Sequence, residues 1–187
     1  MSDAIVAEQM AQAVRCHQQG DLAAAERLYG RVLQARPGHF DALLMSGVLR
    51  FQQGDSKGAE ARLRDATRAN PGSAVAWLNL GVVQEAQRLM PEALASYDRA
   101  LTLEARYPEA LFNRANVLLG LGRMAEALAG YDRALGLNPK LVPALNNRGT
   151  ALQALGRDAE ALTSFERALA LAPDYPDAEH DRIEGLE

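Results

Sequence analysis

Three asparagines stand 34 residues apart, at Asn79, Asn113 and Asn147, and Asn116 follows the second of them by three. A carboxamide carries an acceptor and two donors, so one side chain can hold both the N–H and the C=O of an extended backbone. If each asparagine rides on its own helix pair, with packed helices roughly 10 Å apart, the series meets roughly every third residue of an extended strand. Three of them would hold about seven residues of backbone without reading their side chains. The same residues also read as a plain solvated helix surface. Apolar side chains accompany them at helical spacing: Leu44, Val48 and Phe51, then Leu78 and Val82, then Phe112. Apolar pockets combined with main-chain bonds are the chemistry of peptide recognition.

No constellation points to catalysis. His17, His39 and His180 fall in distant parts of the chain, and Cys16-His17 is the single adjacent soft pair. It lacks a second ligand pair at zinc spacing and a third group to orient a base. No glycine-rich phosphate loop is present. The pairs Asp98-Arg99, Asp132-Arg133 and Glu166-Arg167 recur with the 34-residue beat. An active site would not be copied three times, so they read as surface charges. The expectation is therefore no catalytic residue, no cofactor and no metal.

The elements that must position these residues follow from the period. Alanine recurs at Ala25, Ala59, Ala93, Ala127 and Ala161. Four residues later stands a ring or a bulky apolar group: Tyr29, Leu63, Tyr97, Tyr131, Phe165. Twelve residues earlier stands a small one: Ala13, Gly47, Gly81, Ala115, Gly149. Proline closes four units at Pro37, Pro71, Pro139 and Pro173, with Ala105 in the remaining slot. A 34-residue period predicts a helix–turn–helix solenoid whose units contact only their neighbours.

Helical spacing, glycine stops at Gly20, Gly54, Gly122 and Gly156, and Pro91, Pro108 and Pro176 as first-turn residues predict paired helices. Their ranges are 5–19 and 22–34, 40–53 and 56–69, 74–87 and 90–103, 108–121 and 124–137, and 142–155 and 158–171. The small residues should let the two backbones of each pair approach, with Tyr97 filling the space beside Gly81 and Ala93.

Composition fits a folded chain, with 48% hydrophobic and 24% charged residues. A net charge of −4 argues against nucleic acid as the main partner. No apolar run approaches the roughly 18 residues of a membrane span. The opening MSDAIVAEQMAQ has no secretory n- or h-region, and a lone Cys16 permits no internal disulfide. Together these predict a cytoplasmic location and no membrane partner. Leu186-Glu187 reads as a cloning scar on a fragment.

These residues resemble the tetratricopeptide repeat, most fully at Trp77-Leu78-Asn79-Leu80-Gly81 followed by Ala93, Tyr97 and Ala100. The resemblance implies an all-α, right-handed superhelical solenoid of five repeats, about 6–39, 40–73, 74–107, 108–141 and 142–175. Residues 1–175 would form the repeat domain and 176–187 a partial capping helix and stub. The asparagine series is similar to the ladder in the repeats of O-linked N-acetylglucosamine transferases. Gln9 and Gln12 depart from the family's apolar preference, as a polar N-terminal cap would. The face of Leu162, Phe165 and Leu169, covered only by Ala178 and Ile183, reads as poorly capped and prone to self-association.

First helices line the concave groove in this family. Leu44, Val48, Phe51, Leu78, Asn79, Val82, Phe112, Asn113, Asn116 and Asn147 are the groove candidates. An apolar stripe on an open face suggests a partner; burial beneath curving neighbours is the other reading. A carboxylate clamp for chaperone tails is not supported, because its slots hold Asp41, Leu44, Leu78, Glu109, Phe112, Gln18, Gln52 and Ala86. The reading adopted is a non-enzymatic scaffold that binds a protein or peptide segment in its groove. The alternatives are the substrate-selecting region of a larger glycosyltransferase and a self-associating assembly scaffold.

Overall fold

A computed structural model describes residues 2–174. Among these the chain forms ten helices and no strand, the all-α helical repeat expected from its period. Residues Met1–Leu103 make one compact unit. It holds α1 (Asp3–Gln18), α2 (Leu22–Ala35), α3 (Phe40–Gln52), α4 (Ser56–Ala69), α5 (Ala74–Ala86) and α6 (Met90–Leu103). A second unit begins at Glu104. It holds α7 (Pro108–Gly120), α8 (Met124–Leu137), α9 (Val142–Ala154) and α10 (Asp158–Leu171). The partial capping helix expected over residues 176–187, with Pro176, Ala178 and Ile183, lies outside the described residues.

Each first helix ends in the same way. The N–H of residue 21 donates to the carbonyl of Cys16, and the N–H of Gly20 donates to that of His17. This double closure satisfies two orphan carbonyls and puts the residue between them in the left-handed region. It recurs with the period at Gly54, Gly122 and Gly156, with φ from 69 to 83°. In the third pair the same position is Arg88, held at φ 62°. The turn there forms without its glycine, which explains why the pairing continues where the sequence pattern breaks.

The residue that closes one helix also opens the next. Asp21 and Asp55 each accept from the amide three residues on, at 3.0 and 2.9 Å, and cap α2 and α4. Arg123 and Arg157 hold the same position ahead of α8 and α10 without a cap bond. Each instead grips a glutamate of the first turn, Glu126 or Glu160, with two N–H···O bonds of 2.6–2.7 Å. Second helices stop at Arg36, Asn70, Asn138 and Ala172, whose φ values lie between −131 and −143°. The prolines that follow exclude the helical conformation at those residues.

Packing within a pair depends on the small slots. Ala25, Ala59, Ala93, Ala127 and Ala161 are all buried. A β-carbon at Gly47 would stand 2.7 Å from Leu63, and one at Gly81 would stand 2.6 Å from the ring of Tyr97. At Gly149 it would meet the ring of Phe165. Phe165 is 1% exposed. It therefore seals α10 against α9 and does not lie on an open terminal face, as the sequence had suggested; Leu162 and Leu169 are the partly accessible members of that trio.

Candidate functional site: the first-helix faces

In the unit of α1–α6 the first helices touch one another in order, α1 with α3 and α3 with α5, while α2 and α4 each bridge two first helices from behind. The unit of α7–α10 repeats the arrangement with α7 against α9. Each unit thus presents a layer of first helices, and on it lie the ten groove candidates. All ten are partly buried, neither sealed nor fully open.

On α3, Leu44 leans on the core of α1–α3 and also on the cluster of Ala59, Leu63, Leu80 and Val83, which Phe51 flanks too. Val48 lies between them in sequence, one turn from Leu44. On α5, Leu78 and Val82 are the counterparts of Leu44 and Val48, and Asn79 stands beside Leu78 in the slot that Met45 takes on α3. The amide nitrogen of Asn79 donates to the Val75 carbonyl of its own helix at 2.8 Å. Its carbonyl oxygen and its second N–H are left without a bond to this helix.

The second unit has a different surface. The ring of Phe112 lies 6.1 Å from that of Tyr131, tilted by 51°. The carbonyl oxygen of Asn116 accepts from the Tyr131 hydroxyl at 2.8 Å and from the Asn147 amide at 2.9 Å. The last bond ties α7 to α9. Asn113, on α7, is partly buried. The structure therefore brings Asn116 and Asn147 together, while Asn79 bonds within its own helix.

Sequence reasoning missed the tyrosine hydroxyls. Tyr97 donates to Glu85 at 2.7 Å, and Tyr29 meets His17 Nδ1 at 3.3 Å. With the Tyr131–Asn116 bond, each buried phenol ties its second helix to a polar group on the first. The signal was present: Tyr29 and Tyr97 follow a polar residue, His17 or Glu85, by twelve. Tyr131 follows Leu119 by twelve and turns to Asn116 instead. Burial, reinforced by the charge of Glu85, pushes the Tyr97 hydroxyl far above its ordinary range. Burial, with Cys16 nearby, raises that of Tyr29 to about 12. Both phenols stay protonated at physiological pH. His17 also bonds Gln52 of α3 through Nε2 at 2.8 Å, so its ring is held within the helix layer.

Charge is used between repeats as well. Asp132 is exposed, as expected of a surface acid, yet it accepts from Arg148 of α9 at 2.6 Å, and Arg148 also reaches Ser164 at 2.6 Å. Between α4 and α5, Glu60 accepts from Arg64 at 2.7 Å and from Gln87 at 2.9 Å. Burial raises its carboxyl, but these two bonds, the Arg64 charge and a bond from Gln84 together outweigh that and hold it below the ordinary value. Among the described residues no cluster of histidine, cysteine or acidic side chains is arranged to hold a metal. No helix among them is long and apolar enough to cross a membrane.

Helix pairs that repeat within each unit and present a partly open first-helix layer define a helical-repeat protein-interaction scaffold. Family models described as tetratricopeptide repeat match residues 17–80, 76–109 and 108–174. The chain belongs to the tetratricopeptide repeat family. Solved structures agree on the fold. One, titled as the crystal structure of MamA protein, is 25% identical with a TM-score of 0.81, covering 89% of this chain and 91% of that one. YrrB, described as a TPR protein with an unusual peptide-binding site, is 22% identical with a TM-score of 0.82, covering 94% and 90%. PilW, described as a type IV pilus biogenesis factor, is 19% identical with a TM-score of 0.85, covering 99% and 87%. A comparison with curated proteins found no match.

Proposed function

We propose that this chain is a non-enzymatic scaffold that holds extended peptide segments against the first-helix layer of each unit. Leu44, Val48, Phe51, Leu78, Val82 and Phe112 supply apolar contacts. Asn79, Asn113, Asn116 and Asn147 engage the peptide backbone. The observation that carries this reading is the partial exposure of all ten side chains on the first-helix layers. A solvated surface would favour charge at these positions, and a closed core would hide them. The hydrogen bonds refine the asparagine series: Asn79 and Asn147 each keep a carbonyl oxygen and one N–H for the peptide, and Asn116 its N–H groups.

The test begins with peptides selected from a random library against the wild-type chain. Replacing Asn79, Asn113 and Asn147 with alanine is expected to weaken a selected peptide by about 0.5–1.5 kcal/mol per site, with an unchanged helical signal. Leu78→Asp combined with Phe112→Asp is expected to abolish binding. Unchanged titration curves for both variants would remove these faces as the working surface.

A further inference from the structure

Trp77 and Leu111 fill the same slot of consecutive 34-residue units, and the space around them differs. The Trp77 indole N–H donates to the Pro71 carbonyl at 3.1 Å, and its ring packs on the cluster of Ala59, Leu63, Leu80 and Val83. One period later the carbonyl belongs to Ala105, and Arg133 donates to it at 3.4 Å. Leu111 lacks the second ring of an indole, and a pocket of about 390 Å³ opens beside it. Its walls are Ala105, Arg106, Leu111, Arg133, Gly136 and Leu137. Two glycine- and alanine-level substitutions make the room. Ala105 stands where the other units have proline, and Gly136 stands where they have Gln34, Arg68, Thr102 and Ala170. A β-carbon at Gly136 would touch nothing within 4 Å.

The volume falls in the range of small-ligand sites. The floor is apolar, and two guanidiniums stand at the rim. Neither Arg106 nor Arg133 forms an ion pair among the described residues. A guanidinium offers a fork of donors that matches a carboxylate, and its flat face stacks on aromatic rings.

We propose that the pocket binds an aromatic carboxylate, with its ring on the apolar floor of Leu111 and Leu137 and its carboxylate on Arg106 and Arg133. A partner chain ending in tryptophan or phenylalanine carries this chemistry, and so does a free aryl acid. The site uses Leu111 of α7 but none of the ten groove candidates.

The test is an NMR titration of the isotope-labelled chain with N-acetyltryptophan. Saturable shifts are expected at residues 105–111 and 133–137, with N-acetyltryptophan amide binding about tenfold more weakly. Arg106→Gln combined with Arg133→Gln should bring acid and amide to the same affinity. Leu111→Trp should abolish binding by closing the pocket. If that variant loses its cooperative melt, Gly136→Met fills the same space from an open position. A pentapeptide ending in free tryptophan that binds more tightly than N-acetyltryptophan assigns the site to a chain end; equal affinity assigns it to the free acid. A titration without saturable shifts at these residues overturns the proposal, as does equal affinity of acid and amide for the wild-type chain or undiminished binding to a filled pocket.

Discussion

The ring of Tyr97 lies where a side chain on Gly81 would have to go, with the carbon Cε1 only 2.6 Å from the position of the missing β-carbon. This is how α5 and α6 come close enough to bury both Ala93 and the ring. Gly81→Ala gains helix propensity of about 0.5–1 kcal/mol but forces the ring off its seat at about 1–3 kcal/mol. The expected net result is a destabilisation of about 1–2 kcal/mol, read from urea unfolding followed by circular dichroism. A midpoint at or above that of wild type would show that the ring gives way freely.

Arg88 holds the left-handed turn that glycine holds in the other four units. A side chain in that conformation costs roughly 1–2 kcal/mol, partly offset because glycine is freer in the unfolded chain. Arg88→Gly is therefore expected to stabilise by about 0.5–1 kcal/mol, seen as a raised thermal midpoint. Arg88→Ala, which keeps a β-carbon, should produce no such rise.

Gln9 occupies a slot that is leucine or tryptophan in the other units, namely Leu43, Trp77, Leu111 and Leu145. Its carbonyl oxygen is buried with no hydrogen-bond partner. Gln9→Leu should remove that desolvation cost and stabilise by about 1–2 kcal/mol. Chemical denaturation of the variant beside wild type checks this, and a loss of stability would contradict it.

Glu60 carries a pH dependence of definite sign. Its folded carboxyl lies below the usual value because burial is outweighed by the bonds from Arg64, Gln87 and Gln84 together with the Arg64 charge. A depressed folded value means that its stabilisation is fully present above the unfolded value of about 4.3 and is lost as pH falls through the folded one. Glu60→Gln should therefore lower stability at neutral pH and flatten the acid side of the stability curve. Urea midpoints collected from neutral pH down to the acid transition, wild type against variant, decide it; parallel curves would mean that Glu60 does not contribute.

The 34-residue beat was enough to set every helix boundary to within about two residues, because glycine stops, first-turn prolines and paired small residues each state a local rule. Arg88 shows where such rules end. A turn that five units share formed in one of them without its preferred residue, because the helices on either side determine it. The groove was less readable. Sequence spacing put Asn79, Asn113 and Asn147 in one series, but hydrogen bonding distinguishes them: Asn79 bonds within α5, whereas Asn147 reaches across to Asn116. Helical phase says which way a residue points and nothing about which neighbour captures it. Phe165 illustrates the converse: it stands from Gly149 at the spacing of Tyr97 from Gly81, and its ring is buried against that glycine as the period implies.

Because Asp21 both finishes α1 and begins α2, and Asp55 does the same for α3 and α4, no spare link exists inside a hairpin. A single inserted residue there would rotate the following helix by about 100° and turn its buried alanine outward. Growth or shrinkage of such a chain is tolerated where one hairpin hands over to the next, in whole hairpins. Lengthening this protein by duplicating one 34-residue block is thus the natural way to extend its binding surface.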